Sequence, residues 1–290
     1  MIPRFSLRRP GSLTEAMAQH AASADAAYIA GGTELLQVMK MGFAQYGTLI
    51  DLKRLPELQG LDVDDRGTLR IGANTTHRQL EHSPLIRDRF PSLAALEARV
   101  ANVRVRNTGT IGGNLAFAEP HSDPATYLLA CGATIVLEGT SGRRELAVDA
   151  FILGPLFTAR EPSEVLIEIR LPGPEIGEGR AYDKISFFER PAASVGVRLV
   201  VADGAISSST ISVGSMTDTP RVIEEASAAF VGAPAEMDAL RGPMELAQEA
   251  FSAVDAVADL NGSADYKRYL AGVLLERTTR AALQEALPRA

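Results

Sequence analysis

Apolar residues fall into short runs and helical stripes that alternate through the first part of the chain, as expected where strands and helices interleave. Residues 27–30 form a short apolar run ending on Gly31-Gly32, and residues 33–41 follow as a helix with Leu35, Val38 and Met39 near one face. Residues 48–52 and 69–73 read as further strands. Thr76 and Gln79 have capping-box spacing, in which each side chain satisfies the other residue's backbone N–H, so a helix starts there. Residues 91–100 carry another helical pattern, while Asn107-Thr-Gly-Thr-Ile-Gly-Gly-Asn114 is rich in turn formers. Asp123-Pro124 reads as an acceptor cap before a first-turn proline, opening a helix that stops near Gly132. Residues 134–138 and 145–148 flank Gly139-Thr-Ser-Gly142 as a hairpin, and residues 164–171 are one more strand.

Pro172-Gly-Pro-Glu-Ile-Gly-Glu-Gly179 breaks this pattern and is a candidate linker. Beyond it, residues 194–202 and 205–214 read as paired strands around Asp203-Gly204. Alanine-rich helical stretches follow, the last a long helix over residues 266–287. Strands first and helices afterwards predict a small α+β second domain.

Composition narrows the function. With 290 residues, 46% of them hydrophobic, the chain can bury a sizeable core in one large or two medium domains. A net charge of −7 argues against nucleic acid as the main partner, because phosphate backbones want a basic face. The N-terminal segment has no apolar signal core and no run is long enough to span a membrane, so a cytoplasmic protein is expected. Cys131 is the only cysteine, which excludes internal disulfides and an iron–sulfur cluster held wholly by this chain's cysteines. It sits at an apolar helix end and reads as a buried thiol. His20, His77, His82 and His121 show no metal-ligand spacing, and no metal site is expected.

Two loops could grip a ligand. Ala30-Gly31-Gly32-Thr33-Glu34 lies at a strand-to-helix junction, where paired glycines let backbone approach a ligand and N–H groups can meet a phosphate. The alternative is a tight turn with Thr33 as N-cap; Glu34 would repel a pyrophosphate unless its carboxylate points away. Thr110-Ile111-Gly112-Gly113-Asn114 is the second loop, or else a bulge or sharp turn between packed segments. Neither is a Walker A sequence or a Gly-x-Gly-x-x-Gly fingerprint, but together they fit a diphosphate held from two sides. Asp123 can cap its helix and still offer a second oxygen to a ligand. Arg104 and Arg106 either help neutralise phosphate or form a solvated basic edge, and His121 reads as a surface loop histidine. No acid/base pair or nucleophile motif is evident, so no catalytic residue is expected; the chemistry would reside in a bound cofactor.

Ala30-Gly-Gly-Thr-Glu-Leu35 followed by Arg106-Asn-Thr-Gly-Thr-Ile-Gly-Gly-Asn114 resembles the FAD-binding medium subunits of molybdenum hydroxylases, the group of aerobic carbon monoxide dehydrogenase and xanthine dehydrogenase. The likeness runs nearly end to end and includes Leu69-Arg-Ile-Gly-Ala-Asn-Thr-Thr76, Asp123-Pro124, Gly214-Ser-Met-Thr-Asp-Thr-Pro-Arg221 and Gly262-Ser-Ala-Asp-Tyr-Lys-Arg268. The resemblance implies an α+β fold. Residues 1–176 would be an FAD domain of the p-cresol methylhydroxylase type, with two α/β subdomains. Residues 177–290 would be a C-terminal domain of the CO dehydrogenase flavoprotein type.

By the same resemblance, Tyr28, Ile29, Ala30, Gly31, Gly32, Thr33, Glu34 and Leu35 would hold FAD together with Thr76, Thr110, Ile111, Gly112, Gly113 and Asn114. Asp123, Leu166 and Lys184 would lie beside it. Thr33 stands where some of the wider superfamily carry a covalently attaching histidine, so FAD would be non-covalent. Phe187-Phe188 departs from the more polar segment of the family and reads as core packing. Partners would be a large molybdopterin subunit and a small subunit with 2Fe-2S clusters, in a dimer of heterotrimers, with electrons leaving to an external acceptor. A stand-alone flavin oxidoreductase and a non-catalytic nucleotide-binding protein are the alternatives. The first would need a substrate pocket with its own acid/base residues; the second would purify colourless.

Overall fold

A computed structural model describes residues 2–287. The chain opens with β1 (Ser6–Arg8), α1 (Leu13–Ala21), β2 (Ala26–Ile29), α2 (Leu35–Met41) and β3 (Thr48–Asp51). β3 lies between β1 and β2 and pairs in parallel with both, the arrangement that helical crossovers permit. Ser12 caps α1 by accepting from the Glu15 N–H, and Leu13, Ala16 and Met17 bury one face of that helix. They pack with Ile50, Leu52, Leu55 and Leu58 against Val136, Val165 and Ile167 of the next sheet. β1 and α1 were not evident in the sequence, because β1 is short and exposed on both faces.

The second layer is an antiparallel sheet in the order β4-β5-β10-β6-β7. β4 (Leu61–Val63) and β5 (Leu69–Gly72) lead into six helices. These are α3 (His77–His82), α4 (Pro84–Arg89), α5 (Pro91–Glu97), α6 (Val103–Thr108), α7 (Ile111–Phe117) and α8 (Asp123–Ala130). β6 (Thr134–Gly139) and β7 (Gly142–Ala147) form the expected hairpin; α9 (Val148–Phe151), β8 (Ile152–Gly154) and β9 (Phe157–Thr158) connect it to β10 (Val165–Leu171). Leu69, Ile71, Ile135, Leu137 and Ile169 form a core with Leu93, Leu96, Ile111, Leu115 and Leu128 of the helices.

Residues 172–177 cross to an antiparallel sheet of β11 (Glu178–Ser186), β12 (Pro191–Ala202), β13 (Ala205–Gly214) and β14 (Arg221–Val222). α10 (Glu224–Phe230), α11 (Arg241–Ser252) and α12 (Ala264–Ala286) follow. β11 escapes a search for apolar alternation because its buried face carries charge: Glu178, Arg180 and Lys184 are all buried. The inferred linker is accordingly shorter than its sequence suggested, since Glu178 and Gly179 already belong to the strand.

This C-terminal sheet is covered on both faces. A Cβ on Gly179 would stand 1.8 Å from the Ala282 carbonyl of α12. Gly196 and Gly214, on the opposite face by strand alternation, meet α8: their Cβ atoms would fall 3.1 Å from the Ala130 methyl and 1.9 Å from Thr126 Oγ1. Ser212 Oγ donates to the Thr126 carbonyl at 2.8 Å. α8 is thus buried along its whole length between the helical layer and the C-terminal sheet.

Candidate functional site

The two glycine loops lie against each other. A Cβ on Gly31 would stand 2.3 Å from the Thr108 carbonyl oxygen, and one on Gly113 would reach the Ala30 methyl at 3.9 Å. Glycine at 31 is therefore required for the close approach of the loops, and Gly32 adopts a left-handed φ of 72° that other residues disfavour. The alternative of Thr33 as N-cap does not hold: α2 starts one residue later, with Glu34 at the N-cap and no side-chain cap bond. Among the described residues, the backbone N–H groups of Gly31, Gly32, Thr33, Glu34 and Leu35 donate to no protein acceptor, and the first that does is Leu36, to Gly32. A run of unmet donors at a half-buried loop calls for an anionic partner or water. A diphosphate fits it.

The second loop is built differently. Its turn formers do not make an irregular turn; they make the end of α6 and the first turn of α7. Thr110 caps α7, its hydroxyl accepting from the Gly113 N–H at 3.0 Å. Ile111 donates to the Thr75 carbonyl, Gly112 to Ala73 and Asn114 to Thr110, so these N–H groups are already paired. Gly112 is needed for packing, since a Cβ there would stand 2.6 Å from the Ala73 methyl. Thr76, whose predicted capping box with Gln79 is present, bridges to Thr110. What this loop offers a ligand is the Thr110 hydroxyl hydrogen and the Asn114 amide N–H₂, whose Oδ1 is held by Ser122 Oγ.

Asp123 is not the cap of α8. Ser122 takes that position, accepting from the Ala125 N–H, which leaves the Asp123 carboxylate for other partners. Tyr182 and Lys184 share the β11 face that meets α8, and both reach it: the Tyr182 hydroxyl donates to Oδ1 and the Lys184 ammonium to Oδ2 at 2.6 Å. Lys184 also donates to the Arg99 carbonyl at 2.9 Å. Burial pushes the Asp123 carboxyl up, against the pull of Lys184 and Tyr182. Both Asp123 oxygens are thus engaged inside the chain, and Leu166 is buried in the core of the antiparallel sheet.

Several other side chains take places that the sequence did not settle. The Glu34 carboxylate lies 3.7 Å from the Arg190 guanidinium, which is also 3.7 Å from Glu119. Burial raises the Glu34 carboxyl, opposed by Arg190 and reinforced by Glu119. His121 is no surface histidine, since it bridges Glu119 at 2.7 Å and Asp259 at 2.8 Å. Arg106 is committed to Glu81 at 3.0 Å and to the Val100 and Ala101 carbonyls, whereas Arg104 is exposed. Phe187 and Phe188 are not core residues; they are 58% and 85% exposed, with Phe187 stacked on Tyr266. Cys131 is buried as expected, and burial pushes its thiol up to about 11.

Paired glycine loops with an unmet donor set, on an α+β scaffold, point to a nucleotide-cofactor-binding protein. Residues 3–174 match the family model described as FAD binding domain in molybdopterin dehydrogenase, and residues 189–282 match the CO dehydrogenase flavoprotein C-terminal domain. The carbon monoxide dehydrogenase medium chain of Hydrogenophaga pseudoflava is 36% identical over 283 residues, 97% of each chain. The solved structure of that organism's carbon monoxide dehydrogenase superposes with a TM-score of 0.93 at 36% identity, covering 98% of this chain and 99% of that one. Quinoline 2-oxidoreductase from Pseudomonas putida 86 superposes with a TM-score of 0.92 at 27% identity, covering 99% and 100%. The chain belongs to the FAD-binding medium subunits of the molybdenum hydroxylases. Its cofactor is FAD, and it is the electron-transfer flavoprotein component of an oxidoreductase.

Proposed function

We propose that the first glycine loop is the principal diphosphate site of this flavoprotein, and that the second supports it and adds side-chain donors. The observation that carries this reading is the run of unpaired N–H groups from Gly31 to Leu35, packed against Thr108 and Gly109. In this reading Tyr28, Ile29, Ala30 and Thr33 complete the first wall, with Thr76, Thr110, Ile111, Gly112, Gly113 and Asn114 forming the second. Asp123 and Lys184 act as a buried pair that fixes α8 and hence the connection from the second loop; Leu166 backs the site from the sheet. FAD is held without a covalent bond, Thr33 standing where attachment would need a histidine. FAD supplies the redox chemistry; this chain's residues bind it, orient it and exclude water.

The domains divide at 176/177, a reading supported by the extended crossing at 172–177 and by family matches that end and resume on either side of it. The partners are a large molybdopterin subunit and a small subunit with 2Fe-2S clusters, assembled as a dimer of heterotrimers in the cytoplasm. Electrons arrive from the clusters and leave to an external acceptor. Support for the subunit reading comes from relatives named as medium chains that match over nearly their full length. Among the described residues no helix is long and apolar enough to cross a membrane.

The test is to purify the natively expressed chain with whatever accompanies it and record its visible spectrum and metal content. FAD with iron and molybdenum in larger and smaller partner chains is the expected result. A yellow chain alone and free of metals would move the reading to a stand-alone flavoenzyme, and a chain that takes up no FAD would end it.

A further inference from the structure

His121 sits in the connection between α7 and α8, with its side chain 15% exposed. Its Nδ1 lies 2.7 Å from Glu119 Oε1 and its Nε2 2.8 Å from Asp259 Oδ2, on the turn before α12. A neutral imidazole has one N–H and one lone pair, so it can donate to only one of these carboxylates. The other would then face a lone pair at hydrogen-bonding distance. Neither carboxylate has a reason to hold the missing proton. Glu119 Oε2 accepts from the His121 N–H at 2.9 Å, while Asp259 accepts from the Asn261 N–H at 2.7 Å and from the Lys267 ammonium at 2.8 Å. The geometry calls for an imidazolium between two carboxylates.

The network runs on in both directions. Lys267, 1% exposed on α12, also donates to the Ser215 carbonyl at 2.9 Å, which ties Asp259 to the C-terminal core. Asn261 Nδ2 lies 3.4 Å from His121 Nε2. On the other side, Arg190, in the turn from β11 to β12, spans Glu119 and Glu34, and Glu34 ends the first glycine loop as the N-cap of α2. The charged groups facing His121 are therefore Glu119 from its own connection and Asp259 and Lys267 from the turn and helix opposite. Arg190 and Glu34 lie one step further out.

We propose that His121 is a positioning residue for the cofactor loops. As an imidazolium it fastens the Asp259 turn to the α7–α8 connection and, through Glu119 and Arg190, steadies Glu34, so that FAD retention weakens when His121 loses its proton. This rests on the assignment of the first glycine loop to FAD. Burial alone would lower the His121 pKa, but the bonds to Glu119 and Asp259 outweigh it and hold it above the usual value. The counterpart is an Asp259 carboxyl depressed to about 2 by Lys267, His121 and the Asn261 N–H, in spite of its own burial.

FAD dissociation from the full chain, followed by flavin fluorescence from about pH 6 to about pH 9, tests the clamp across the range where a raised histidine titrates. The wild-type dissociation constant is expected to rise about tenfold across that range, one pKa unit's worth of linkage. His121→Gln and Asp259→Asn should each bind FAD at the weakened level with a flat profile, the second guarding against a folding defect peculiar to the first. A variant profile parallel to the wild type would overturn the proposal. A wild-type chain that binds no FAD at any pH would sink the cofactor assignment instead. The clamp would then be judged on the free chain, by amide exchange at His121, Asn261 and Gly262 corrected for intrinsic rate. Protection that declines with rising pH in the wild type but not in His121→Gln supports it, and identical behaviour in both refutes it.

Discussion

The two Gly-Gly loops look alike in the sequence, each a glycine pair beside a threonine, yet they solve different physical problems. Residues 31–35 present N–H groups that none of the described residues satisfies, and glycine at 31 allows backbone to approach backbone at Thr108. In the loop at 110–114 the N–H groups of Ile111, Gly112, Gly113 and Asn114 are consumed by Thr75, Ala73 and Thr110, and glycine at 112 makes room for Ala73. One loop keeps unmet backbone donors; the other is a finished structural joint packed against it. A shared composition therefore does not imply a shared role. The discriminating quantity is where each backbone donor goes.

Breaking the joint should have the largest effect. Asp123→Asn removes the partner of buried Lys184 just beyond the second loop, and unpairing a buried charge typically costs about 3–5 kcal/mol. Urea unfolding of the FAD-free chain should show that loss, because the pair lies wholly within the protein. Gly112→Ala overpacks the joint against Ala73 and should destabilise the free chain by about 1–3 kcal/mol, read in the same experiment. Gly31→Ala forces the loops apart at Thr108; beyond any stability change, it should weaken FAD binding by about 2 kcal/mol, roughly thirtyfold, by misplacing charge-assisted donors. Equal FAD affinity in Gly31→Ala and wild type would remove the distinction between the loops.

A matched pair sharpens the contrast. Thr110→Val deletes a helix cap and should cost about 1 kcal/mol in the free chain, whereas Thr33→Val deletes no cap and should leave its stability within about 0.5 kcal/mol. Thermal melting of both without FAD decides it. A further test is acid sensitivity at the Asp259 turn. Its folded pKa, about 2, is depressed from 3.8, so the stabilisation is full above the unfolded value and lost as pH falls from about 4 to about 2. The difference in stability between wild type and Asp259→Asn should close over that window.

Much of this was legible in the residues. The strands at β2, β3, β5, β6, β10, β12 and β13, the Thr76–Gln79 capping box and the long last helix all follow from period and capping chemistry. Local patterns missed elements whose logic is not local. β11 has a charged buried face whose members find partners in space, Arg180 with Glu178, Glu178 with Arg198 and Lys184 with Asp123, so its alternation is hidden. Phe187-Phe188 read as core packing, but the turn leaves both more than half exposed, with Phe187 stacked on Tyr266. Ser122 and Asp123 are both capable caps, and the choice between them was decided by Tyr182 and Lys184, distant in the chain.

The sequence by itself determined the class of this protein through the resemblance of its glycine loops and C-terminal segments to a known family. It also determined most strands and one capping box through local patterns that carry their own physical meaning. Only the tertiary structure decided what each part does. Whether a backbone N–H is free, whether a carboxylate is a ligand or a buried counterion, and whether His121 is solvated or held between two acids depend on which elements meet. That is a matter of through-space contact and desolvation, and no window along the chain contains it.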